Sequence, residues 1–184
     1  MRIIGGQWKR TPLPVAEVAG LRPTPDRVRE TLFNWLAHLC PDIAAVSGLD
    51  LYAGTGALGF ELASRGARSV TMVESSSKAL AALQAMRVRL DARQVDVIPG
   101  DALTVAARLP AAAFDIVFLD PPFDSPFQAP ALAAARRLVT PEGLIYLEAP
   151  TALTETRLRE LGLELVRAGR AGRVAFHLLR PARA

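Results

Sequence analysis

The stretch that decides the fold is LDLYAGTGALGF, residues 49–60, in which an apolar run leads straight into Gly54-Thr55-Gly56-Ala57-Leu58-Gly59. Those six residues fit G-x-G-x-x-G letter for letter. The pattern predicts a strand, a sharp turn whose backbone N–H groups can approach a ligand, and a helix starting near Ala57. The next apolar run, SVTMVE, ends in Glu74, 20 residues after Gly54. A carboxylate at the tip of a second strand can accept hydrogen bonds from both hydroxyls of a ribose. Equally, Glu74 can cap the helix that opens at Ser75-Ser76-Ser77. A P-loop is excluded, because Phe60-Glu61 stands where Lys-Ser/Thr would be required. The turn therefore points to an adenosine compound without choosing between a nicotinamide dinucleotide and S-adenosylmethionine (SAM). Asp50 tips the choice. A carboxylate inside the strand is costly unless it organises the loop or meets a cation. SAM carries an ammonium and a sulfonium, whereas a pyrophosphate would be repelled.

Outward from the turn, strand-like and helical patterns alternate. Strands are expected near 47–53, 69–74, 94–99, 114–120 and 143–149, with helices near 57–65, 76–91, 101–109, 127–138 and 152–161. Runs such as FDIVFLD are continuously apolar, as in a parallel sheet covered on both faces. The rhythm implies a doubly wound α/β sheet. Two last strand candidates, 163–169 and 173–180, are joined by a short Gly-containing turn, so the last must run antiparallel to its neighbour. Upstream, residues 1–20 read as a short hairpin. Pro25 to Leu39 reads as a helix, with Val28, Leu32, Trp35 or Leu36 and Leu39 at three- to four-residue spacing and Thr24-Pro25 as cap and first helical position. The expected division is an N-terminal extension over 1–44, hairpin plus helix, and a sheet domain over 45–184.

The 184 residues suit a single core, with 51% hydrophobic and 22% charged residues. The apolar runs are all too short for a membrane span, and MRIIGGQWKR has no export signal, which suggests a soluble cytoplasmic protein. One cysteine and two histidines make a His/Cys metal site improbable. Charge is unevenly placed. Residues 1–30 carry six Lys/Arg against three acids and residues 151–184 seven against three, around an acidic middle of nine against twelve. Twenty of the 22 basic residues are arginine, the side chain suited to planar contacts with phosphate and guanine. A coding bias toward Arg and Ala would give the same excess, so the basic ends say more than the total.

The fourth strand ends in FLDPPF, with Asp120-Pro121-Pro122-Phe123 at the carboxyl edge where such sheets bind ligands. Two prolines stiffen the backbone and remove two donors, leaving the Asp120 carboxylate and proline carbonyls as acceptors. A row of acceptors beside a flat ring suits an exocyclic amine of a nucleobase. Accepting its two N–H bonds lets the nitrogen become tetrahedral and present its lone pair. Stacking on Phe123 would add roughly 1–3 kcal/mol. The bland alternative is a Pro-Pro turn capped by Asp120 with Phe123 in the core. Asp101, in PGDAL after the third strand, can meet an adenine amino group or cap the next helix.

Taken together, DLYAGTGALG, VE, GDA and LDPPF resemble SAM-dependent methyltransferases of the Rossmann-like seven-stranded class that act on exocyclic amines. RIIGGQWKR, GLRPTPDRVRETLFNWL and a final GRVAFHLLR narrow the likeness to the bacterial 16S rRNA (guanine(966)-N2)-methyltransferase family. The resemblance covers essentially the whole chain. It implies that Gly54, Thr55 and Gly56 line the methionine part of SAM, that Glu74 holds the ribose and that Asp101 meets the adenine, with Asp50, Tyr52 and Ala102 in the same cofactor-binding set. It implies further that Asp120, Pro121, Pro122 and Phe123 form the target-base site, and that Arg22, Thr24 and Arg27 lie near its mouth. Lys9, Arg10 and Arg173 join those three as expected RNA contacts; Arg170 and Arg173 could equally belong to an ordinary solvated turn. The implied substrate is 16S rRNA, within the small subunit or an assembly intermediate, and the implied state a monomer. One departure stands out: the family reads W-[RK]-G-R after the first strand, and Trp8-Lys9-Arg10 lacks the glycine. A nicotinamide oxidoreductase, a noncatalytic RNA-binding module on the same fold and a DNA amino-methyltransferase are the rival readings. FLDPPF offers no hydride-transfer acid, and the chain has no separate target-recognition domain.

Overall fold

Residues 1–14, 25–121 and 128–183 are described by the computed structural model. Seven strands form one sheet: β1 (Ser47–Asp50), β2 (Ser69–Glu74), β3 (Val95–Pro99), β4 (Phe114–Leu119), β5 (Val139–Ala149), β6 (Leu163–Ala171) and β7 (Val174–Pro181). Their spatial order is β3-β2-β1-β4-β5-β7-β6. The first five strands are mutually parallel, and β7 runs antiparallel to both β5 and β6. The order reverses between β1 and β4, which makes the crevice beyond their carboxyl ends the switch point of the sheet. This is the Rossmann-like sheet with an antiparallel last strand that the sequence leads one to expect. The new element is the insertion of β7 between β5 and β6.

Among the described residues six α-helices cover the faces. α1 (Asp26–Leu39), α2 (Ala57–Ser64) and α3 (Ser77–Arg89) lie on one face, where Leu32, Phe33, Phe60, Leu83, Met72, Phe118 and Tyr146 share a core. α4 (Ala102–Arg108), α5 (Gln128–Leu138) and α6 (Glu155–Glu160) cover the other, over Leu49, Val117, Leu119, Ile145 and Leu179. β1 and β7 are buried through most of their length because helices or strands meet them on every side. β6 is the edge, and its side chains alternate toward solvent.

Differences from the expected boundaries have local causes. β1 stops at Asp50 because Leu51–Ala53 already turn toward the Gly-rich loop, with the Leu51 N–H on the Phe118 carbonyl and the Ala53 N–H on that of Val73. β5 begins at Val139, four residues early, since Val139 pairs with Phe114 across an irregularity that accommodates Pro141. α1 opens at Asp26, with Pro25 in the cap position rather than inside the first turn. Pro25 has no N–H to leave unpaired, and its carbonyl accepts from Val28 and Arg29. Thr24, the expected cap, lies outside the described residues. Val28, Leu32 and Leu36 are buried as the spacing predicts, whereas Leu39 is exposed.

The hairpin at the amino end is smaller than a sheet. Arg2 bridges Pro12, and Ile3 and Leu13 seat in the same core as α1 and α2. It is fastened mainly by α2. The buried Glu61 carboxylate accepts the Ile4 N–H at 2.6 Å, the Gly5 N–H at 2.8 Å and Arg65 Nε at 2.9 Å. Arg29, wholly buried on α1, lies 3.9 Å from Glu61 and donates to Asp26 and the Arg2 carbonyl. At the last turn of α2 the Ser64 carbonyl and hydroxyl accept from Gln7 and Trp8. Gly6 has φ +76°, and a Cβ there would lie 1.9 Å from the Ser64 carbonyl oxygen, so the hairpin tip can touch the helix only as glycine.

Candidate active site

Because β1 to β5 are parallel, their carboxyl ends gather at one edge: Asp50, Glu74, Asp101, Asp120 and the Glu148-Ala149 end of β5. Cross-strand partners point to the same face, and Asp50 pairs with Phe118, which pairs with Tyr146. Asp120, two residues beyond Phe118, and Glu148, two beyond Tyr146, follow the same alternation.

Asp50 is buried, with 2% of its surface exposed. One carboxylate oxygen accepts the Gly59 N–H at 3.2 Å, so it organises the turn as expected. The other, Oδ1, is buried with no hydrogen-bond partner. Burial pushes the carboxyl up to about 7; the Gly59 and Tyr52 N–H groups oppose the rise, and Glu74 adds to it. The Tyr52 hydroxyl is a second buried atom lacking a partner. Burial, then the neighbouring Asp101 carboxylate, raises its phenol above the ordinary value. Two orphaned polar atoms below one loop mark a place where a ligand's charge and hydrogen bonds would be accommodated. A cationic group near Asp50 would restore the carboxylate to its charged form. The donor set therefore fits SAM.

The glycines divide the work. Gly54 has φ +54° and gives its N–H to Glu74 Oε2 at 2.8 Å. Gly56 has φ +76°, and a Cβ there would meet Phe60 and Leu83 at 2.6 Å, so it serves core packing as well as the turn. At Gly59 a Cβ would strike Met72 at 2.5 Å, which shows that the third glycine brings α2 onto β2. Thr55 donates to Met1 Sδ at 3.3 Å, so the start of the hairpin lies over the loop. Glu74 also accepts the Ser76 N–H at 2.7 Å. Its carboxylate thus ties the loop to the start of α3, and Ser76 itself is the cap of that helix. Asp101 caps α4 by accepting the Thr104 N–H and hydroxyl, both at 2.8 Å, and these bonds hold its carboxyl below the usual range. Ala102 is buried as the first residue of α4. Asp101 thus has the capping role while Glu74 leaves it to Ser76 and braces the loop, and each acid stands at the strand end where a ribose or an adenine would lie.

At the base-site end, Asp120 is half-buried and Pro121 is buried. Pro122 and Phe123 lie outside the described residues, as do Arg22 and Thr24. Beside Asp120 the structure adds a group that the motifs did not single out. The Tyr146 hydroxyl, wholly buried, donates to Glu148 Oε1 at 2.9 Å. Burial, then the Glu148 and Asp120 carboxylates, keep this phenol protonated well above its ordinary range. The signal was present in IYLEAP: a carboxylate closing an apolar central strand is as anomalous as Asp50, and it marks the same edge.

Of the expected RNA contacts, Arg27 and Arg173 stand at this edge. Arg27 is exposed in the first turn of α1. That helix ends at the opposite edge, where burial and then Asp115 raise the Cys40 thiol. Arg173 is exposed in the turn between β6 and β7, which is level with Ala149 because Ala149 pairs with Ala175. Lys9 and Arg10 are not brought to the site. Their turn hangs on Ser64, at the far end of α2 from the Gly-rich loop. Arg10 has φ +71°, which explains why the pattern it departs from places glycine there. Among the described residues no group of three or more His, Cys, Asp or Glu side chains could hold a metal ion, and no helix is long and apolar enough to cross a membrane.

Comparison with known proteins bears on the family and the fold. A family profile described as "Conserved hypothetical protein 95" matches residues 1–180. Ribosomal RNA small subunit methyltransferase D of Haemophilus influenzae is 40% identical over 153 residues, 80% of this chain and 78% of the relative. The protein of the same name from Escherichia coli is 46% identical over 123 residues, 67% of this chain but 60% of the relative's length. The solved structure of Escherichia coli yhhF superposes with a TM-score of 0.83 at 37% identity, over 100% of this chain and 99% of that one. The extent of these matches, from the hairpin to the last strand, means that the chain belongs to the ribosomal RNA small subunit methyltransferase D family.

Proposed function

We propose that this protein transfers a methyl group from SAM to the exocyclic N2 of a guanine in 16S rRNA, at the guanine-966 type of site. The observation that carries the reading is the pairing of two features at one switch point. A buried, half-satisfied Asp50 lies under the Gly-rich loop, and one strand away Asp120-Pro121 offers acceptors at the end of β4. Support for an RNA substrate comes from the family's name and from the basic ends of the chain.

Bound SAM supplies an electrophilic methyl on a sulfonium. Asp50, Tyr52 and the Gly54–Gly56 backbone hold its methionine portion, while Glu74 and Asp101, with Ala102, hold ribose and adenine. Asp120 and the Pro121 carbonyl accept the two N–H bonds of the guanine amine, which withdraws its lone pair from the ring and directs it at the methyl. Asp120 would take the proton that the amine sheds as the methyl passes to nitrogen, while the methyl's bond to sulfur breaks and its electron pair stays on sulfur, leaving the donor as a neutral thioether. Pro122 and Phe123 complete the base site in this reading. Positioning and electrostatics do the catalytic work, without a covalent enzyme intermediate or a metal. Residues 1–44 serve as the wall of the cofactor and RNA mouth, and the protein works in the cytoplasm as a monomer on RNA or on small subunits in assembly.

The test is transfer of labelled methyl from SAM to naked 16S RNA and to small subunits lacking the modification. Asp120→Ala abolishes turnover and spares most of the SAM affinity. Unchanged turnover in that variant removes Asp120 from the mechanism.

A further inference from the structure

A groove of about 310 Å³ runs between α1 and the β6–β7 hairpin, walled by Arg27, Thr31, Trp35, Arg170, Gly172 and Phe176. It belongs to neither the cofactor loop nor the Asp120 site. Its floor is aromatic: the Trp35 and Phe176 rings lie 5.5 Å apart at 32°. Phe176 pairs with Glu148 across the sheet, so the floor adjoins the carboxyl end of β5, beside Asp120. Gly169 holds that floor in place, because a Cβ there would lie 2.3 Å from the Phe176 ring and drive it into the groove.

The rim is basic, and none of the described residues that wall the groove is acidic. Arg27 and Arg173 have no ion pair among the described residues, and Arg170 spends only its Nε, on the Gly172 carbonyl at 3.1 Å. The contrast with the opposite edge of the sheet is informative. There a larger cavity, about 400 Å³, is also lined by arginines. Those side chains are committed: Arg136 to the Gly162 carbonyl, Arg137 to the Leu109 and Ala106 carbonyls and Arg183 to Glu142. Uncommitted guanidiniums beside a partly exposed aromatic ring are what a single strand of nucleic acid requires, phosphates on the rim and a base against Trp35. The volume suits one nucleotide, at the low end of the roughly 300–1,000 Å³ typical of ligand sites.

We propose that this groove is a second nucleotide subsite, in which a single-stranded RNA residue flanking the target base lies on the half-buried Trp35 ring, backed by the buried Phe176, with its phosphates held by Arg27, Arg170 and Arg173. The inference rests on the RNA methyltransferase reading and assigns the strand a path away from the target base. It adds Trp35 to the residues that meet RNA and gives Arg170 a definite place among them.

The experiment uses the full chain with Trp8→Phe, which leaves Trp35 as the sole tryptophan, and a fluorescence titration with naked 16S RNA and a short single-stranded oligoribonucleotide. Quenching of Trp35 on RNA addition is expected. Arg27→Ala and Arg170→Ala each weaken RNA binding about tenfold and lower the slope of log affinity against log salt by about 0.7. SAM affinity, read by calorimetry, stays unchanged. Arg183→Ala, at the opposite edge, leaves RNA affinity unaltered. RNA bound by the parent protein with no Trp35 response, or with the same affinity and salt slope when Arg27→Ala and Arg170→Ala are combined, overturns the groove. A response to small subunits but to neither RNA probe shows that the groove does not take single-stranded RNA and also overturns it. RNA binding through the groove without any methyl transfer supports the subsite and refutes the enzymatic reading. Absence of RNA binding altogether refutes both.

Discussion

Asp50→Asn separates the two demands placed on the loop, because it removes the buried charge and keeps the shape. In the wild-type protein burial raises the carboxyl from 3.8 to about 7. A rise of that size corresponds to roughly 4 kcal/mol of differential interaction between the two protonation states. The sign follows from linkage. Between about pH 4 and pH 7 the native carboxyl keeps a proton that the unfolded chain has released, so this group lowers stability progressively as pH rises through that window. Above pH 7 the loss is complete. The asparagine carries no charge, can still accept from Gly59 and should abolish this contribution. Urea unfolding of the ligand-free protein at pH 5 and pH 8 is the assay. Asp50→Asn should be more stable than wild type at pH 8, by an amount approaching 4 kcal/mol at most, and by less than half as much at pH 5, where the unfolded chain has already released most of this proton. SAM binding should move the other way. Wild-type affinity should rise on the order of 15-fold from pH 5.5 to pH 7, the ratio of ionised Asp50 for a pKa of about 7. The variant should bind weakly with no such dependence. Equal pH profiles in the two proteins would refute the argument that Asp50 is a charge held ready for a cationic ligand.

Two further outcomes concern the amino-terminal hairpin. Glu61→Gln replaces an acceptor with an amide donor facing the Ile4 or Gly5 N–H and leaves Arg29 buried with Asp26 as its one remaining carboxylate within ion-pair distance. It should cost about 3 kcal/mol in urea unfolding, and a loss below about 1 kcal/mol would show that the cluster is not what seats the hairpin. Arg10→Gly relieves a left-handed residue at φ +71°. The relief of about 1–2 kcal/mol is offset by the greater freedom of glycine in the unfolded chain, about 0.5–1 kcal/mol. A net gain of up to about 1 kcal/mol is therefore expected in the same assay, and RNA affinity should be unchanged, since this turn hangs at the far end of α2; a loss of RNA binding would return Arg10 to the interface.

The parallel core was legible because FDIVFLD and SVTMVE are apolar without alternation, and because glycine punctuates each return. Asp50 was legible for the same reason that it matters: a charge has no cheap place inside such a run. The position of β7 was harder to read, since strand adjacency is set by packing rather than by local pattern. A trace of it is present, in that VAFHLL is continuously apolar and LELVRAGRA is not, as an interior strand and an edge strand would be. Glu61 drew notice only as the residue after Phe60, where a P-loop would need Ser or Thr after its lysine. Its function depends on a hairpin some 56 residues away in sequence, and no local pattern encodes that contact. The groove at Trp35 was hidden likewise, its walls coming from opposite ends of the chain, although the basic excess at both ends hinted that they meet.

The central claim is tested most directly by locating the transferred methyl. Purified protein, labelled SAM and unmodified small subunits or 16S RNA are incubated together, and the RNA is digested and mapped by mass spectrometry. A single methyl on the N2 of one guanine is the expected result. A methyl on adenine N6, cytosine N4 or a ring carbon, or no RNA product from either substrate, would contradict the account.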